Sequence, residues 1–284
     1  MRDAYHDELD AISASLVEMT SLVGSAMSRA TTALLDADLG LAETVITADD
    51  AVDAIYHDIE ERCFDLLARQ QPVASDLRVL VTSLRMVADL ERMGDHARHV
   101  AKIARRRYPS SAVPPELRST MLEMGHAAEE IVAKAGSVIA RRDLDMAAEL
   151  ERDDDVMDEL HKTLFTSLLA ESFPHGTEAA IDITLAGRYY ERFADHAVSV
   201  ARRVVYLVTG ERAPALSEPP TPPRDRPPRP APLPSAVSCR PRPAPPSATA
   251  RPRSARPRPA PPGPARPGHL SCPVPARRPI CPQC

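Results

Sequence analysis

The segment "ERMGDHARHVA" at residues 91–101 returns one hundred residues later as "ERFADHAVSVA" at residues 191–201, with seven of eleven positions identical. A second register runs at an offset of 105 without a gap. Asp38-Leu39 matches Asp143-Leu144, Ala42 matches Ala147, and Asp49, Asp50 and Asp53 match Asp154, Asp155 and Asp158. Leu16 likewise falls on Met121, Met19 on Met124 and Ala26 on Ile131. The change of offset from 105 to 100 removes about five residues before the last segment of the second copy. One structural unit is therefore built twice, and the fold must be a pair of like halves.

The period inside each copy is helical. Leu9, Ile12, Leu16, Met19, Val23, Ala26, Ala30 and Ala33 alternate spacings of three and four, the seam of an antiparallel bundle. "DADLG" interrupts this seam, and Val45, Val52, Ile55, Ile59, Cys63 and Leu66 make a second stripe ended by Pro72. Ser75 is placed to cap a third helix carrying Leu77, Leu80, Leu84 and Val87 to about Arg107. After "YPSSAVPPE", with Pro115 suited to a first helical turn, the order restarts along Leu117, Met121, Met124, Ala128, Ile131, Ala135 and Val138. A fifth helix runs to about Ser172 and a sixth to near Gly210. The expectation is all-α: two tandem three-helix bundles over 1–107 and 115–210, then a tail over 211–284.

Composition separates the tail from the body. Of 30 prolines, 5 lie in 1–210 and 25 in 211–284. The tail holds 13 Arg against 3 acidic residues, +10, which leaves 22 − 37 = −15 for the body. A body of that charge excludes nucleic acid as its partner and suits cations or a basic protein surface. The tail has no apolar periodicity and is expected to be disordered. It reads either as a basic arm or as a frame-shifted extension, since GC-rich codons out of frame yield Pro, Arg and Ala. Cys63 is the body's one cysteine, and the terminal "CPQC" is an isolated CxxC in Pro-rich sequence. No apolar run approaches the ~18 residues of a spanning helix, and no signal-peptide core opens the chain, so a cytoplasmic setting is expected.

The chemistry lies in paired carboxylates. Glu91 and Asp95 follow the apolar stripe of the third helix at positions where it calls for Leu. Ile181, Thr184, Arg188, Glu191, Asp195 and Val198 carry the same spacing in the sixth. Residues four apart share a helix face. Asp49 and Asp53 form a like pair on the second helix, repeated as Asp154 and Asp158 on the fifth. A hairpin turning near residues 73–74 sets Asp53 beside Glu91 and Asp95, with His57 a turn on. A turn near 175 sets Glu191 and Asp195 within a turn of Asp154 and Asp158. Four such charges repel unless a cation joins them, and all-carboxylate clusters suit hard or borderline ions. The predicted metal ligands are Asp49, Asp53, Glu91 and Asp95 in one cluster and Asp154, Asp158, Glu191 and Asp195 in the other. Asp50, Asp155 and His57 are additional candidates. The competing reading is salt bridging by Arg92, Arg192, Arg85 and Arg188.

His96 and His196 sit roughly 100° round the helix from the neighbouring Asp, placed to support or pair rather than to ligate. A di-iron oxidase or metal-dependent hydrolase is the alternative function. The former needs two Glu-x-x-His motifs, and the chain offers Glu123-x-x-His126 off the seam and Asp158-x-x-His161 as a near partner. Sequence signatures of P-loops, dinucleotide sites, nucleophile elbows and paired CxxC motifs are missing from the body.

"QQPVASDLR" (70–78), "DLERMGDHARHVA" (89–101) and "RYYERFADHAVSVARRVVYLVTGE" (188–211), with the two three-helix repeats, resemble the PhoU family over about residues 1–212. The resemblance implies a six-helix, non-enzymatic cytoplasmic regulator, often a homodimer. It implies metal clusters on the (E/D)xxxD motifs, here the eight carboxylates just named, holding divalent or trivalent ions such as iron, Mn, Mg or Zn. It implies partners in the ATPase subunit of a phosphate ABC transporter and a phosphate-sensing histidine kinase. Through these the protein represses phosphate uptake and the phosphate-starvation response, touching the membrane only by way of its partners. Family members usually end soon after a segment like "TGE", here at Glu211, so the long tail departs from the pattern.

Overall fold

A computed structural model describes residues 2–170 and 173–211. The expectations for the tail lie outside these residues, apart from Glu211. Six helices and no strand are present among them: α1 (Arg2–Asp36), α2 (Leu39–Gln70), α3 (Ser75–Arg107), α4 (Arg118–Arg141), α5 (Leu144–Leu168) and α6 (Gly176–Thr209), with a 3-10 turn at Pro115–Leu117 leading into α4.

The repeat is visible in the turns. α1 and α4 both end at a left-handed residue, Ala37 and Arg142, one position before an aspartate. Asp38 and Asp143 then cap α2 and α5: Asp38 Oδ1 accepts from Leu41 N at 2.9 Å, and Asp143 Oδ1 from Asp145 N and Met146 N. The shorter offset appears as a shorter hairpin arm, since α2 has 32 residues and α5 has 25. Ser75 does not cap α3. Its hydroxyl turns to Asp76, and the N-cap position is Ala74, with no side-chain bond.

α1, α3, α6 and α4 form a ring in which each packs on the next, while α2 leans on α1 and α3 and α5 on α4 and α6. The two three-helix bundles thus share one continuous core. Ile12, Leu16, Met19, Val23, Met121, Met124, Tyr190 and Phe193 lie within it. The expected seams of α1 and α4 are buried, with Ala26 only partly so. Leu77 and Ile181, expected on the seams of α3 and α6, are instead exposed at 41% and 53%.

The α1–α4 crossing makes one contact twice. A Cβ on Gly136 would lie 2.5 Å from Thr20 Oγ1, and one on Gly125 2.5 Å from Thr31 Cγ2. Thr20 and Gly125 are repeat partners, as are Thr31 and Gly136. A threonine from one repeat therefore fills the space left by a glycine of the other, at both ends of the crossing.

Candidate functional site

Glu91 and Asp95 do not replace core leucines. The buried face of α3 runs through Leu80, Val87, Leu90, Met93, Ala97 and Val100, and that of α6 through Ile183, Ala186, Tyr190, Phe193, Ala197 and Val200. The acidic pairs stand one position aside, half-buried on the flank facing α2 or α5. Such an edge lets a carboxylate keep some solvent while losing enough of it to feel its neighbours.

In the first repeat, Asp49 on α2 is only 7% exposed. The helices meet closely here, and a Cβ on Gly94 would stand 3.2 Å from Asp49 Oδ1. Burial raises the Asp49 pKa, Arg98 opposes this, and the charges of Asp53 and Asp95 add to it. Burial likewise raises Glu91, with Asp95, Asp53 and Asp49 adding and Arg92 opposing. The charges of these four carboxylates act on one another. A cation stands among them: Arg98 Nη1 lies 2.6 Å from Asp49 Oδ2, and its Nη2 donates to Asp95 Oδ1. Arg92 adds looser contacts, 3.4 Å to Asp95 and 3.6 Å to Glu91. Asp50 is exposed, and His57 is exposed with Nδ1 4.0 Å from Glu60 Oε2.

In the second repeat, burial pushes Asp154 up to about 7, and Asp195, Asp158, Asp155 and Glu191 all push the same way. Glu191 is raised by burial and then by Asp195, against Arg188 and Arg192. Arg192 Nη1 lies 2.9 Å from Asp195 Oδ2, and Arg188 pairs with Glu191. Asp155 and Asp158 are exposed. The Arg98 position is Val198 in this copy, 3% exposed.

As placed, no three His, Cys, Asp or Glu side chains among the described residues close into a set that could hold an ion. The donor chemistry nevertheless separates the clusters. Asp154 stands among four like charges, and no ion pair among the described residues joins Asp154 or Asp158 to a cation, so hard oxygen donors in need of positive charge are present there. In the first cluster a guanidinium already meets part of that need. Of the four arginines expected as counter-ions, Arg92, Arg188 and Arg192 do pair with the carboxylates.

Sequence reasoning missed Arg98. The signal was available: it lies one turn beyond Asp95 on the same helix face, and its repeat partner is a valine. The α3–α6 network was missed as well. Asp89 is 8% exposed and accepts from Arg203 Nε at 2.5 Å, with His196 Nδ1 at 3.2 Å. Burial alone raises the Asp89 pKa, but these two partners outweigh it and hold it below the usual carboxylate value. The rings of His96 and His196, which are repeat partners, stack on each other at 5.6 Å between α3 and α6. Burial, then His196 and His99, bring His96 down to about 4. Both histidines support the helix pair. Glu123 and His126 are exposed on α4, which removes the geometric basis for a di-iron site there.

The PhoU domain family matches this chain twice, over residues 16–104 and 121–204. The phosphate-specific transport system accessory protein PhoU homolog 2 of Mycobacterium tuberculosis is 51% identical over 210 residues, 74% of this chain and 99% of that one. The corresponding PhoU homolog of Pseudomonas aeruginosa is 34% identical, over 72% of this chain and 86% of that one. The crystal structure of PhoU from Pseudomonas aeruginosa superposes with a TM-score of 0.68 at 34% identity, covering 73% of this chain and all of that one. That of the phosphate transport system regulatory protein PhoU from Streptococcus pneumoniae gives 0.67 at 26% identity, covering 74% and 100%.

Proposed function

Because this chain belongs to the PhoU family, we propose that it is an accessory regulator of phosphate uptake that works by binding rather than by turnover. One observation carries the reading: the whole six-helix body, with both carboxylate hairpins, aligns along 99% of a relative named for that system at 51% identity. The finer reading is a metal-binding adaptor. Asp49, Asp53, Glu91 and Asp95 hold one metal site, and Asp154, Asp158, Glu191 and Asp195 the other, with Asp50, Asp155 and His57 on their margins. Bound ions supply the positive charge that lets facing carboxylates stay ionised and their helices stay close.

The body's −15 charge supports basic protein surfaces as partners. We assign these to the ATPase subunit of a phosphate ABC transporter and a phosphate-sensing histidine kinase, with the regulator a cytoplasmic homodimer. No helix among the described residues is long and apolar enough to cross a membrane, which accords with contact through partners only.

The test is a strain lacking the protein and carrying a reporter for a phosphate-starvation promoter. Loss of the protein derepresses the reporter in high phosphate, the wild-type chain restores repression, and Glu191→Ala/Asp195→Ala does not. A reporter indifferent to loss of the protein contradicts the regulatory role. Chelator-sensitive phosphatase or oxidase activity in the purified chain favours the enzymatic alternative.

A further inference from the structure

We infer that the two carboxylate clusters are unequal: the second-repeat cluster takes a metal ion readily, whereas the first carries its own cation, Arg98, which an ion must displace. The inference rests on the metal-binding reading above and concerns only how the two sites differ.

The first cluster is bridged across its helices. The Arg98 guanidinium holds Asp49 on α2 through Nη1, at 2.6 Å, and Asp95 on α3 through Nη2. Charge-assisted bonds of this kind to two carboxylates are strong and directional. Asp49 is buried, so its pairing is little screened by solvent. The Arg98 Nε is buried without a hydrogen-bond partner, so the guanidinium is held in place with one donor unsatisfied. The side chain is 29% exposed and has a path out. The site is therefore weakened rather than closed.

The second cluster lacks this bridge. Val198 occupies the corresponding place and carries no charge. Among the described residues Glu191 and Asp195 pair with Arg188 and Arg192, which lie on their own helix and are 52% and 47% exposed. Exposed pairs one turn apart on a helix are weak and exchange readily with solvent. Asp154 and Asp158 on α5 have no cation partner among the described residues, and the one cation that ties α6 to α5 nearby, Arg202, goes instead to Glu151, a turn before Asp154. An incoming ion meets two donors on α5 without a cation among the described residues, whereas on α2 it meets Asp49 already engaged and Asp53 alone without one.

The effect is large enough to measure. A fixed unit charge a few ångströms away opposes a second cation by a factor of about ten or more at the dielectric of a protein edge. Two classes of site follow from one repeated motif, separated by one residue.

The test is calorimetric titration of Mn²⁺ into the metal-free full-length chain and four variants, with circular dichroism to confirm folding. The wild type shows a tight and a weak class of site. Asp154→Asn removes the tight class, and Asp49→Asn removes the weak one. Arg98→Val, which gives the first repeat the residue of the second, tightens the weak class by about tenfold or more. Arg98→Gln, which keeps a hydrogen-bond donor without the charge, does the same and serves where the valine variant does not fold. Loss of the tight class in Asp49→Asn, or unchanged affinities in Arg98→Gln, overturns the inference and leaves metal binding standing. No Mn²⁺ bound by any of the five proteins overturns both.

Discussion

Thr31 on α1 and Tyr190 on α6 share a buried hydrogen bond, Oγ1 to Oη at 2.7 Å, that joins the first helix of one repeat to the last helix of the other. Thr31 already donates to Met27 O at 2.9 Å, so the phenol is the donor. Burial drives the Tyr190 pKa upward and keeps it neutral. The residue is functional cement only in the structural sense: it fixes how the bundles meet, and therefore how the two outer hairpins are carried. Its repeat partner is Leu90, which fills a buried position with no hydroxyl to satisfy.

Tyr190→Phe removes the donor and leaves Thr31 bonded to Met27. The expected loss is about 1 kcal/mol, the usual net worth of one buried hydrogen bond. Urea denaturation reads it as a lower midpoint with an unchanged slope, and Mn²⁺ affinity stays the same.

Gly136→Ala is more severe. The added Cβ would stand 2.5 Å from Thr20 Oγ1, closer than packing allows. Overpacking of this kind costs about 1–3 kcal/mol. Thr20→Ala in the same chain recovers most of the loss, and a double-mutant cycle shows the coupling directly.

Asp89→Asn removes the charge that holds Arg203 and His196 across α3 and α6. A cost of about 1–3 kcal/mol follows from leaving the partly buried Arg203 without its anion and taking an acceptor from His196. The sign of the pH effect is set by the depressed Asp89 pKa: its contribution is present above the unfolded value near 4 and is lost as pH falls below it. Thermal melts of wild type and variant therefore converge on acidification.

The architecture was largely legible because the repeat and the three-four spacing both follow from backbone period, which local sequence records. α1 and α4 read directly, since their apolar seams face the core along their whole length. The spacing of the acidic pairs was legible, but not the depth at which each carboxylate sits. Glu91 and Asp95 continue the Leu77–Val87 stripe in spacing, yet Leu77 is exposed and beyond Val87 the core face of α3 passes through Leu90, one position from Glu91. A helix packed between α1, α2 and α6 has buried residues on more than one side, so no single stripe marks its face. Arg98 escaped notice because arginine on a helix reads as solvent-facing until the partner helix is in place.

Asp154 gives the sharpest pH dependence. Its folded pKa, about 7, is above the unfolded value, so its contribution to stability is fully present below the unfolded pKa and is lost as pH rises towards 7. The metal-free wild type should lose up to about 1 kcal/mol per pH unit relative to Asp154→Asn between pH 5 and 7. Added Mn²⁺ raises the melting temperature more at pH 7.5 than at pH 5.5, because protons and metal compete for the same oxygen atoms. Parallel wild-type and variant curves over that range contradict this assignment.

The most direct test of the account is the metal content of the full-length chain. The protein is exposed to Mn²⁺, dialysed, and compared by elemental analysis with the variant Glu91→Ala/Asp95→Ala/Glu191→Ala/Asp195→Ala. The account predicts at least one retained ion per wild-type chain and close to none in a folded variant. Equal, near-zero metal in both would contradict it and leave the carboxylates as partners of arginine alone.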